Sequence, residues 1–373
     1  MRRTLVVTND FPPRSGGIQQ FVHQIVGRLP AEEVVVLSSR HEGDAAFDAT
    51  LPYRVVRHPH YPMMPTPAVA GLAAELLREE KCEAVWFGAA APLALMTPAL
   101  RRAGAVRAVA STHGHEMAWA KLPGAASSLR RISARVDVLT YLTEYSHAAI
   151  GKVSAPGARL EQLSPGVDPV VFSPDVSGLA VRERYGLVGR PVVVCVSRLV
   201  KRKGQDTLIA IWPQVLEQVP DAALLIVSGG PYADRLASMV RSLGLGSSVR
   251  LTGEVDWSEL PQHYAAGDLF AMPCRTRRAG LDVEGLGIVF LEASASGLPV
   301  IAGRSGGAPD AVLEGRTGYV VDPRDGREIA ARIIELLLDP VSARTMGVLG
   351  RAWAEREWGW EAMADRLSRW LSE

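Results

Sequence analysis

Two glutamates, the first followed closely by glycines, form the stretch of this chain best suited to chemistry. Glu284 and Glu292 are separated by seven residues, and Gly285 and Gly287 follow the first of them. If a helix begins near Gly287, its first N–H groups have no partner within the helix, and its dipole favours negative charge there. The glycines would let a bulky anion approach the backbone, and phosphate is the natural candidate. Glu284 could then bind hydroxyls on the group that carries the phosphate, and Glu292 a second polyol nearby.

The same pattern also fits a plain glycine-rich loop with two solvated glutamates, and the residues alone leave both interpretations open. The spacing argues against the paired carboxylates of a glycosidase. Eight helical steps turn through roughly 800° and rise about 12 Å, so the two side chains would not face one bond.

A second candidate site is the cationic segment from Ser197 to Gly204, which follows a short apolar stretch typical of a buried strand. It contains Arg198, Lys201, Arg202 and Lys203. A run of charges is usually a solvated surface. Ligands, however, collect at the carboxyl ends of strands in open α/β sheets, which favours an anion site. We expect that replacing Arg198 or Lys203 leaves the stability of the fold nearly unchanged.

The loop from Asn9 to Gln19 lies between a predicted strand and a predicted helix. It lacks the Gly-x-Gly-x-x-Gly fingerprint of dinucleotide-binding proteins. Its glycine pair, Gly16 and Gly17, still permits close approach to the backbone at a helix N-terminus. A structural turn is the alternative.

His113 follows another predicted strand and is open to three interpretations: a packed histidine, a metal ligand or a site residue. A metal pair with His115 is disfavoured, because the two histidines lie only two residues apart and nothing matches His-Glu-x-x-His. Val255, beyond a further strand, belongs either to a nucleobase site or to an ordinary exit from that strand. Ser305 to Gly307 repeat the strand–glycine–helix pattern and are expected to wall a ligand cleft.

The elements that position these residues fall into two series of alternating strands and helices, which predict parallel βαβ units. Pro and Gly mark a boundary at Ser164–Asp168. We therefore predict an N-terminal domain over 1–165, a second domain over 166–350 and a helical tail over 351–373 whose tryptophans dock it. The length of 373 residues fits two domains.

The composition excludes several classes of protein. Lys+Arg 41 against Asp+Glu 40 argues against a general nucleic-acid binder. The three distant cysteines give neither a disulfide framework nor zinc spacing, which together with the absence of a signal-peptide pattern favours the cytoplasm. Since no run approaches the ~20 apolar residues of a membrane-spanning helix, any membrane contact must be peripheral.

The glutamate pair resembles the Glu-x7-Glu signature of retaining glycosyltransferases of family 4. The stretches from Gly280 to Phe290 and from Ala302 to Asp310 are similar to actinobacterial GDP-mannose-dependent phosphatidylinositol mannosyltransferases, most of all those that add the second mannose. The resemblance implies an α/β protein of the GT-B fold, in which two Rossmann-like domains face a central cleft and the tail crosses back to the N-terminal domain. It implies transfer of mannose from GDP-mannose to phosphatidylinositol monomannoside, with no metal and no cofactor.

The resemblance also implies roles for individual residues. The reaction centre would contain His113, Arg198, Lys203 and Glu284. The implied donor contacts are Gly16, Gly17, Arg198, Lys203, Val255, Glu284, Gly285, Leu286, Gly287, Ile288 and Glu292. The implied acceptor contacts are Asn9 and Gln19. Alternatives that remain open are a UDP-sugar transferase, an epimerase or phosphorylase of the same fold, and a non-catalytic nucleotide-sugar binder.

An anionic lipid acceptor implies contact with a membrane surface on the inner face of the plasma membrane. Residues 101–165 contain nine basic and four acidic residues. Arg130, Arg131 and Arg135, interleaved with Leu129 and Ile132, would meet anionic headgroups if Arg131 and Arg135 lie on one helix face. A solvated helix with buried aliphatic residues is the alternative.

Overall fold

The computed structural model describes residues 1–14, 16–114, 116, 123–280 and 282–373. They form two compact units, Met1–Gly166 with Trp360–Glu373, and Val167–Gly359. The sequence placed the start of the tail at residue 351. The structure instead keeps residues 351–358 in a helix of the second unit, because small residues along one face of that helix, among them Gly347 and Gly350, are buried.

Within its described residues, the first unit contains a seven-stranded parallel sheet in the order β3-β2-β1-β4-β5-β6-β7. The strands are β1 (Thr4–Thr8), β2 (Val34–Ser39), β3 (Arg54–His58), β4 (Ala84–Phe87), β5 (Arg107–Ser111), β6 (Val138–Tyr141) and β7 (Leu160–Gln162). The central strand β1 is buried along its whole length, as its apolar, β-branched sequence predicts. Val6 of β1 lies between Val36 and Trp86 of its two neighbours.

Helices flank this sheet. They are α1 (Gly17–Val26), α2 (Asp44–Asp48), α3 (Pro67–Glu79), α4 (Thr97–Ala103), α5 (Pro123–Ser133) and α6 (Glu144–Gly151). Thr66 caps α3 by accepting from the N–H of Val69, and Thr143 caps α6 in a capping box with Ser146.

The second unit contains, among its described residues, a six-stranded parallel sheet in the order β10-β9-β8-β11-β12-β13. The strands are β8 (Val192–Val196), β9 (Ala223–Val227), β10 (Val249–Leu251), β11 (Leu269–Met272), β12 (Val300–Gly303) and β13 (Gly318–Val321). Its helices are α7 (Leu179–Tyr185), α8 (Gln205–Gln218), α9 (Ala233–Ser242), α10 (Leu260–Ala265), α11 (Ile288–Ala295), α12 (Gly326–Leu338) and α13 (Pro340–Trp358). The prediction of an α/β protein with two parallel-sheet, Rossmann-like domains is confirmed.

The last helix, α14 (Trp360–Ser372), packs in the first unit, against α1 and the sheet. The Trp360 ring lies 6.3 Å from that of Phe21. Near the end of the helix, Arg107 Nε donates to the Trp370 carbonyl at 2.6 Å. The tryptophan anchor that the sequence suggested for the tail is thus present in this helix.

The strand order fixes where ligands collect in the second unit. Strand β8 lies between β9 and β11. After β8 the chain adds β9 and β10 on one side of it, and then β11, β12 and β13 on the other side. The strand order therefore changes direction between β8 and β11, and the loops after these two strands flank a crevice. Those loops are Ser197–Gly204 and the segment from Pro273 towards Gly287. No helix in the described ranges is long and apolar enough to cross a bilayer.

Candidate active site

The cationic loop after β8 is held in shape by a buried glutamine. Gln205 Nε2 donates to Ser197 Oγ at 2.8 Å and to the Arg198 carbonyl at 3.2 Å. A short 3₁₀ turn, Lys201–Lys203, ends at Gly204, whose φ of 82° is one that glycine adopts without strain. The turn directs Lys203 into the protein, while Arg198 and Lys201 stay exposed.

Lys203 forms a buried ion pair with Glu284. Lys203 Nζ lies 2.8 Å from Glu284 Oε2, and the two side chains are only 10% and 7% exposed. This buried pair argues against the expectation that Lys203 can be replaced without loss of stability, because its removal would leave a buried carboxylate without its cation. For the exposed Arg198 that expectation stands as a prediction.

The backbone of Glu284 is fixed by the loop after β12. Its N–H donates to Ser305 Oγ at 3.3 Å, and its carbonyl accepts from the N–H of Gly307 at 3.0 Å. Gly306, with φ of 54°, lets this loop approach so closely. The glycine loop that was predicted to wall a ligand cleft thus positions Glu284.

Helix α11 begins at Ile288 and is capped by Gly287, so the prediction of a helix starting near Gly287 is confirmed. Gly287 has φ of 79°, and a Cβ there would lie 2.7 Å from the Phe290 ring. Gly285 differs, because it is exposed and a Cβ on it would meet nothing within 4 Å. Leu286 is buried and Ile288 partly buried. The backbone at Gly285 is therefore open to an approaching ligand.

Glu292 lies in the second turn of α11 and is bound by a tyrosine. The Tyr264 hydroxyl donates to Glu292 Oε2 at 2.6 Å, and Tyr264 itself is fully buried. Burial raises the pKa of Glu292 to about 7, while the Tyr264 hydrogen bond and the charge of Lys203 act in the opposite direction. One carboxylate oxygen is thus committed to the protein, and the residue as a whole is partly exposed.

Val255 is partly buried and follows β10, the strand at one end of the sheet order. Ser228 and Gly253 form a bridge between the loops after β9 and β10. The N–H of Leu199 donates to the Gly229 carbonyl at 2.9 Å, which ties the cationic loop to the same edge. Five predicted site residues therefore belong to the carboxyl edge of the second sheet: Arg198, Lys203, Val255, Glu284 and Glu292.

In the first unit, Asn9 and Gln19 are engaged by the protein. Asn9 Oδ1 accepts from Ser39 Oγ at 2.6 Å, and its Nδ2 donates to the Met63 carbonyl at 3.0 Å. Gln19 Nε2 donates to Asp10 Oδ1 at 2.7 Å. Both side chains hold loops at the carboxyl edge of the sheet, and their contact with an acceptor stays a prediction.

Gly16 and Gly17 lie at the start of α1, as predicted for this loop. A Cβ on Gly16 would collide with the Gln19 side chain, whereas one on Gly17 would meet nothing within 4 Å. A side chain at Gly16 would therefore displace the Gln19 amide, while Gly17 leaves the helix N-terminus accessible.

His113 is fixed by its ring and its backbone. Its Nε2 lies 2.5 Å from the Gly88 carbonyl, and since a carbonyl only accepts, Nε2 carries the proton. The Phe21 ring packs edge-on at 4.9 Å, and the His113 N–H donates to Glu116 Oε2 at 2.9 Å. The ring therefore cannot act as a base at Nε2. His115, considered as its partner in a metal site, lies outside the described residues.

The basic helix α5 has its aliphatic residues in the core. Leu129 and Ile132 are fully buried, whereas Arg130 and Arg131 are exposed. The helix ends at Ser133, so Arg135 lies in the following turn. The prediction that Arg131 and Arg135 lie on one helix face is therefore wrong. Any membrane contact through this surface is electrostatic, because Leu129 and Ile132, the apolar residues between the arginines, are both buried.

Sequence patterns did not indicate Tyr264 or Gln205. The partner of Tyr264 lies 28 positions away, and no local spacing links the two. Gln205 follows the cationic segment and begins a helix after Gly204. This position next to the segment was the one sequence feature that could have indicated its role. Across the described ranges, no group of three or more His, Cys, Asp and Glu side chains could hold a metal ion.

Two family models match the chain, Glycosyl transferases group 1 over residues 180–353 and Glycosyltransferase Family 4 over residues 15–171. Among solved structures, Anabaena Alr3699/HepE in complex with UDP aligns over 99% of both chains with a TM-score of 0.79 at 19% identity. WaaG, a glycosyltransferase involved in lipopolysaccharide biosynthesis, aligns over 99% of both chains with a TM-score of 0.64 at 16% identity. The fold and the site thus define a glycosyltransferase of the GT-B class.

Relatives of similar length narrow this class. A GDP-mannose-dependent alpha-(1-6)-phosphatidylinositol monomannoside mannosyltransferase of Mycolicibacterium smegmatis is 53% identical over 99% of this chain and 98% of the relative. A Mycobacterium tuberculosis protein of the same name is 50% identical over 100% of this chain and 98% of the relative. A Corynebacterium glutamicum relative, named for a monoacylated acceptor, is 46% identical over 99% and 98%. The chain belongs to this family of glycosyltransferases, which confirms the resemblance drawn from the sequence.

Proposed function

We propose that this protein transfers mannose from GDP-mannose to phosphatidylinositol monomannoside, with retention of configuration, to give the dimannoside. The observation that carries the proposal is the 53% identity, over nearly the whole of both chains, to a relative named for this donor and this acceptor. The chemistry of the second unit fits a nucleotide-sugar donor, because it combines buried and exposed cations with an accessible helix N-terminus.

Stabilisation of the leaving diphosphate is the main task of the site. The bond between the mannose C1 and the diphosphate oxygen breaks, and negative charge accumulates on GDP. Arg198, Lys203 and the N–H groups at the start of α11 stabilise this charge. Gly285 lets the diphosphate reach those N–H groups.

The remaining residues hold the two polyols of the donor. Glu284 accepts hydrogen bonds from mannose hydroxyls and Glu292 from ribose hydroxyls, through the oxygen that Tyr264 leaves available. The acceptor hydroxyl attacks C1 from the face that GDP leaves, and its proton passes to the departing phosphate oxygen. This front-face route needs no nucleophile from the protein, only positioned groups.

The test compares donors on one acceptor. Purified protein is incubated with phosphatidylinositol monomannoside in neutral detergent and with radiolabelled GDP-mannose, UDP-glucose or UDP-N-acetylglucosamine. We expect label from GDP-mannose alone to enter lipid, and the Lys203→Ala variant to lose this transfer. Preferential transfer from a UDP-sugar, or donor epimerisation without acceptor, would contradict the proposal.

Transfer is proposed to be independent of a metal ion. Lys203, Arg198 and the α11 N-terminus can together neutralise the diphosphate, which is the role that Mg²⁺ plays in other nucleotide enzymes. Activity should persist after exhaustive treatment with EDTA. Loss of activity that Mg²⁺ or Mn²⁺ restores would contradict it.

The protein is also proposed to act at the inner face of the plasma membrane as a peripheral protein. Arg130, Arg131 and Arg135 are exposed together around the end of α5, and each charge near an anionic surface contributes about 1 kcal/mol. Wild-type protein should sediment with anionic liposomes at low salt and be released at high salt. The triple arginine-to-glutamine variant should bind less while keeping its affinity for GDP. Equal sedimentation of the two proteins would exclude this surface.

A further inference from the structure

Beside Arg198, the second unit has a pocket of about 410 Å³ that the roles above leave unused. Its lining consists of five cationic side chains, one aliphatic residue and one carboxylate: Arg198, Lys201, Arg202, Arg277, Arg278, Val200 and Asp282. A pocket of this composition is suited to an anion, because positive charge lines it on both sides.

A tight turn after β11 brings two of these arginines to the pocket. Arg277 and Asp282 form an antiparallel bridge, in which the Arg277 N–H donates to the Asp282 carbonyl at 2.8 Å. At the base of this turn, the Arg275 N–H donates to the Arg202 carbonyl at 2.7 Å. This hydrogen bond thus joins the loops after β8 and β11, the two strands between which the strand order changes direction.

The charges in the pocket are incompletely neutralised. Arg202 and Arg277 share the single carboxylate of Asp282, at 3.6 and 3.5 Å. In the described part of the chain, no carboxylate lies within 4 Å of the side-chain nitrogens of Arg198 or Arg278. Arg275 provides the contrast, because Asp206 binds it through both oxygens at 2.8 and 2.6 Å. Arg275 therefore stabilises the loop, whereas the pocket arginines retain capacity for a ligand.

We infer that this pocket is a phosphate subsite for the acceptor, a place that receives the phosphodiester joining inositol to the lipid. The inference rests on the proposed function. In a phosphoinositide the phosphodiester is attached to the inositol ring itself, so a ring hydroxyl that attacks the donor brings this phosphate close to the donor diphosphate. The pocket shares Arg198 with the proposed diphosphate site and so has the required proximity. Arginine is also the side chain best matched to phosphate oxygens.

The donor diphosphate does not account for the pocket. The ammonium group of Lys203 is turned to Glu284 and Lys203 is not part of the lining. Arg277 and Arg278 lie earlier in the segment that leads to α11, in the turn closed by the bridge between Arg277 and Asp282. They would add positive charge beyond what one diphosphate uses.

The test separates acceptor phosphate from donor and from membrane. KM is measured for phosphatidylinositol monomannoside in neutral detergent and for its deacylated, water-soluble form, using wild type, Arg277→Gln/Arg278→Gln and the control Arg316→Gln. Arg316 is an exposed arginine of the same unit outside the pocket. We expect the double variant to raise KM for both acceptors about tenfold or more, the scale of a lost charge-assisted contact, with the Kd for GDP unchanged. The single Arg278→Gln, which removes no ion pair, should give a smaller rise of the same kind.

Three results would overturn the inference. Equal weakening of GDP binding would assign the pocket to the donor. A defect only with the lipid acceptor, and none with the deacylated form, would assign the pocket to the lipid surface. Unchanged KM values would leave the pocket without a role in binding. If wild type transfers no mannose, the proposed function fails by itself. Calorimetry of glycerophosphoinositol against inositol on GDP-saturated protein then still decides whether these arginines select phosphate.

Discussion

Lys203 and Glu284 join two loops of the candidate site through one buried contact of 2.8 Å. Lys203 ends the cationic turn after β8, and Glu284 precedes the glycine cap of α11. In the free protein each charge neutralises the other. Both groups are nevertheless assigned to the donor, Lys203 to the diphosphate and Glu284 to the sugar, so the pair positions two binding groups before the donor arrives.

The first prediction concerns the stability of this pair. Lys203→Ala should lower the free energy of unfolding by about 3 kcal/mol or more, because a buried carboxylate is left without its cation. Urea unfolding followed by circular dichroism measures the change. The double variant Lys203→Met/Glu284→Gln removes both charges at similar volume and should recover most of the lost stability.

Activity provides the control for this interpretation. The double variant should remain inactive, since it lacks the cation that meets the leaving diphosphate. If Lys203→Ala proved as stable as wild type, the buried pair would have no structural role, and the geometry of the loop would have to be revised.

The second prediction is that Arg198 acts on the reaction and not on the fold. Because its side chain is exposed, Arg198→Ala should leave the Tm unchanged, and it should lower kcat/KM by roughly 10²-fold, the scale of one lost transition-state donor. Arg316→Ala, another exposed arginine of this unit, should change neither quantity. Near-normal turnover of Arg198→Ala would remove it from the reaction centre.

The third prediction is a pH dependence of GDP binding that arises from Glu292. Its pKa of about 7 means that the acid is neutral below this pH and ionised above it. Ribose hydroxyls bind the carboxylate better than the neutral acid, so affinity for GDP should increase as the pH rises from 6 to 8. Tyr264→Phe removes a hydrogen bond that lowers this pKa, and should move the midpoint to higher pH.

Two variants isolate this effect in calorimetry. Glu292→Gln should bind GDP more weakly and retain only the pH dependence that GDP ionisation itself produces. Glu284→Gln should keep GDP affinity nearly intact while reducing turnover, because the part of the donor that Glu284 is proposed to bind is the sugar. Equal loss of GDP affinity in both variants would contradict the assignment of Glu292 to ribose and Glu284 to mannose.

Local pattern was sufficient to predict the central strands and the start of α11. Strands such as β1 and β8 are continuous apolar, β-branched runs, and the glycine at 287 marks a helix cap. Strands β6, β7 and β13 were not indicated. Strand β7 is only partly buried and contains two polar residues, β6 contains Thr140, and β13 begins at Gly318, so none of them is a continuous apolar run of the kind that marks β8.

The site was harder to predict wherever burial decides the chemistry. Four cations occur within six residues, and nothing in their spacing distinguishes Lys203, which the turn before Gly204 directs inwards, from Arg198, which stays exposed. The Tyr264–Glu292 hydrogen bond likewise depends on how α10 and α11 pack. Sequence therefore indicated which residues gather at this edge of the sheet, while only the fold shows which of them are paired.

The last prediction uses Gly285 to test the approach of the donor to the backbone. Gly285 has no positive φ, and a Cβ there would meet no protein atom within 4 Å, so Gly285→Ala should leave the Tm unchanged. If the diphosphate reaches the α11 N-terminus over this residue, the added methyl group occupies its path, and Kd for GDP should rise about tenfold, or about 1.4 kcal/mol. Gly246→Ala is the matched control, since Gly246 is equally exposed and unobstructed but lies in a surface turn after α9. Calorimetry on the two variants decides the matter: equal GDP affinity would mean that the donor does not pass over Gly285.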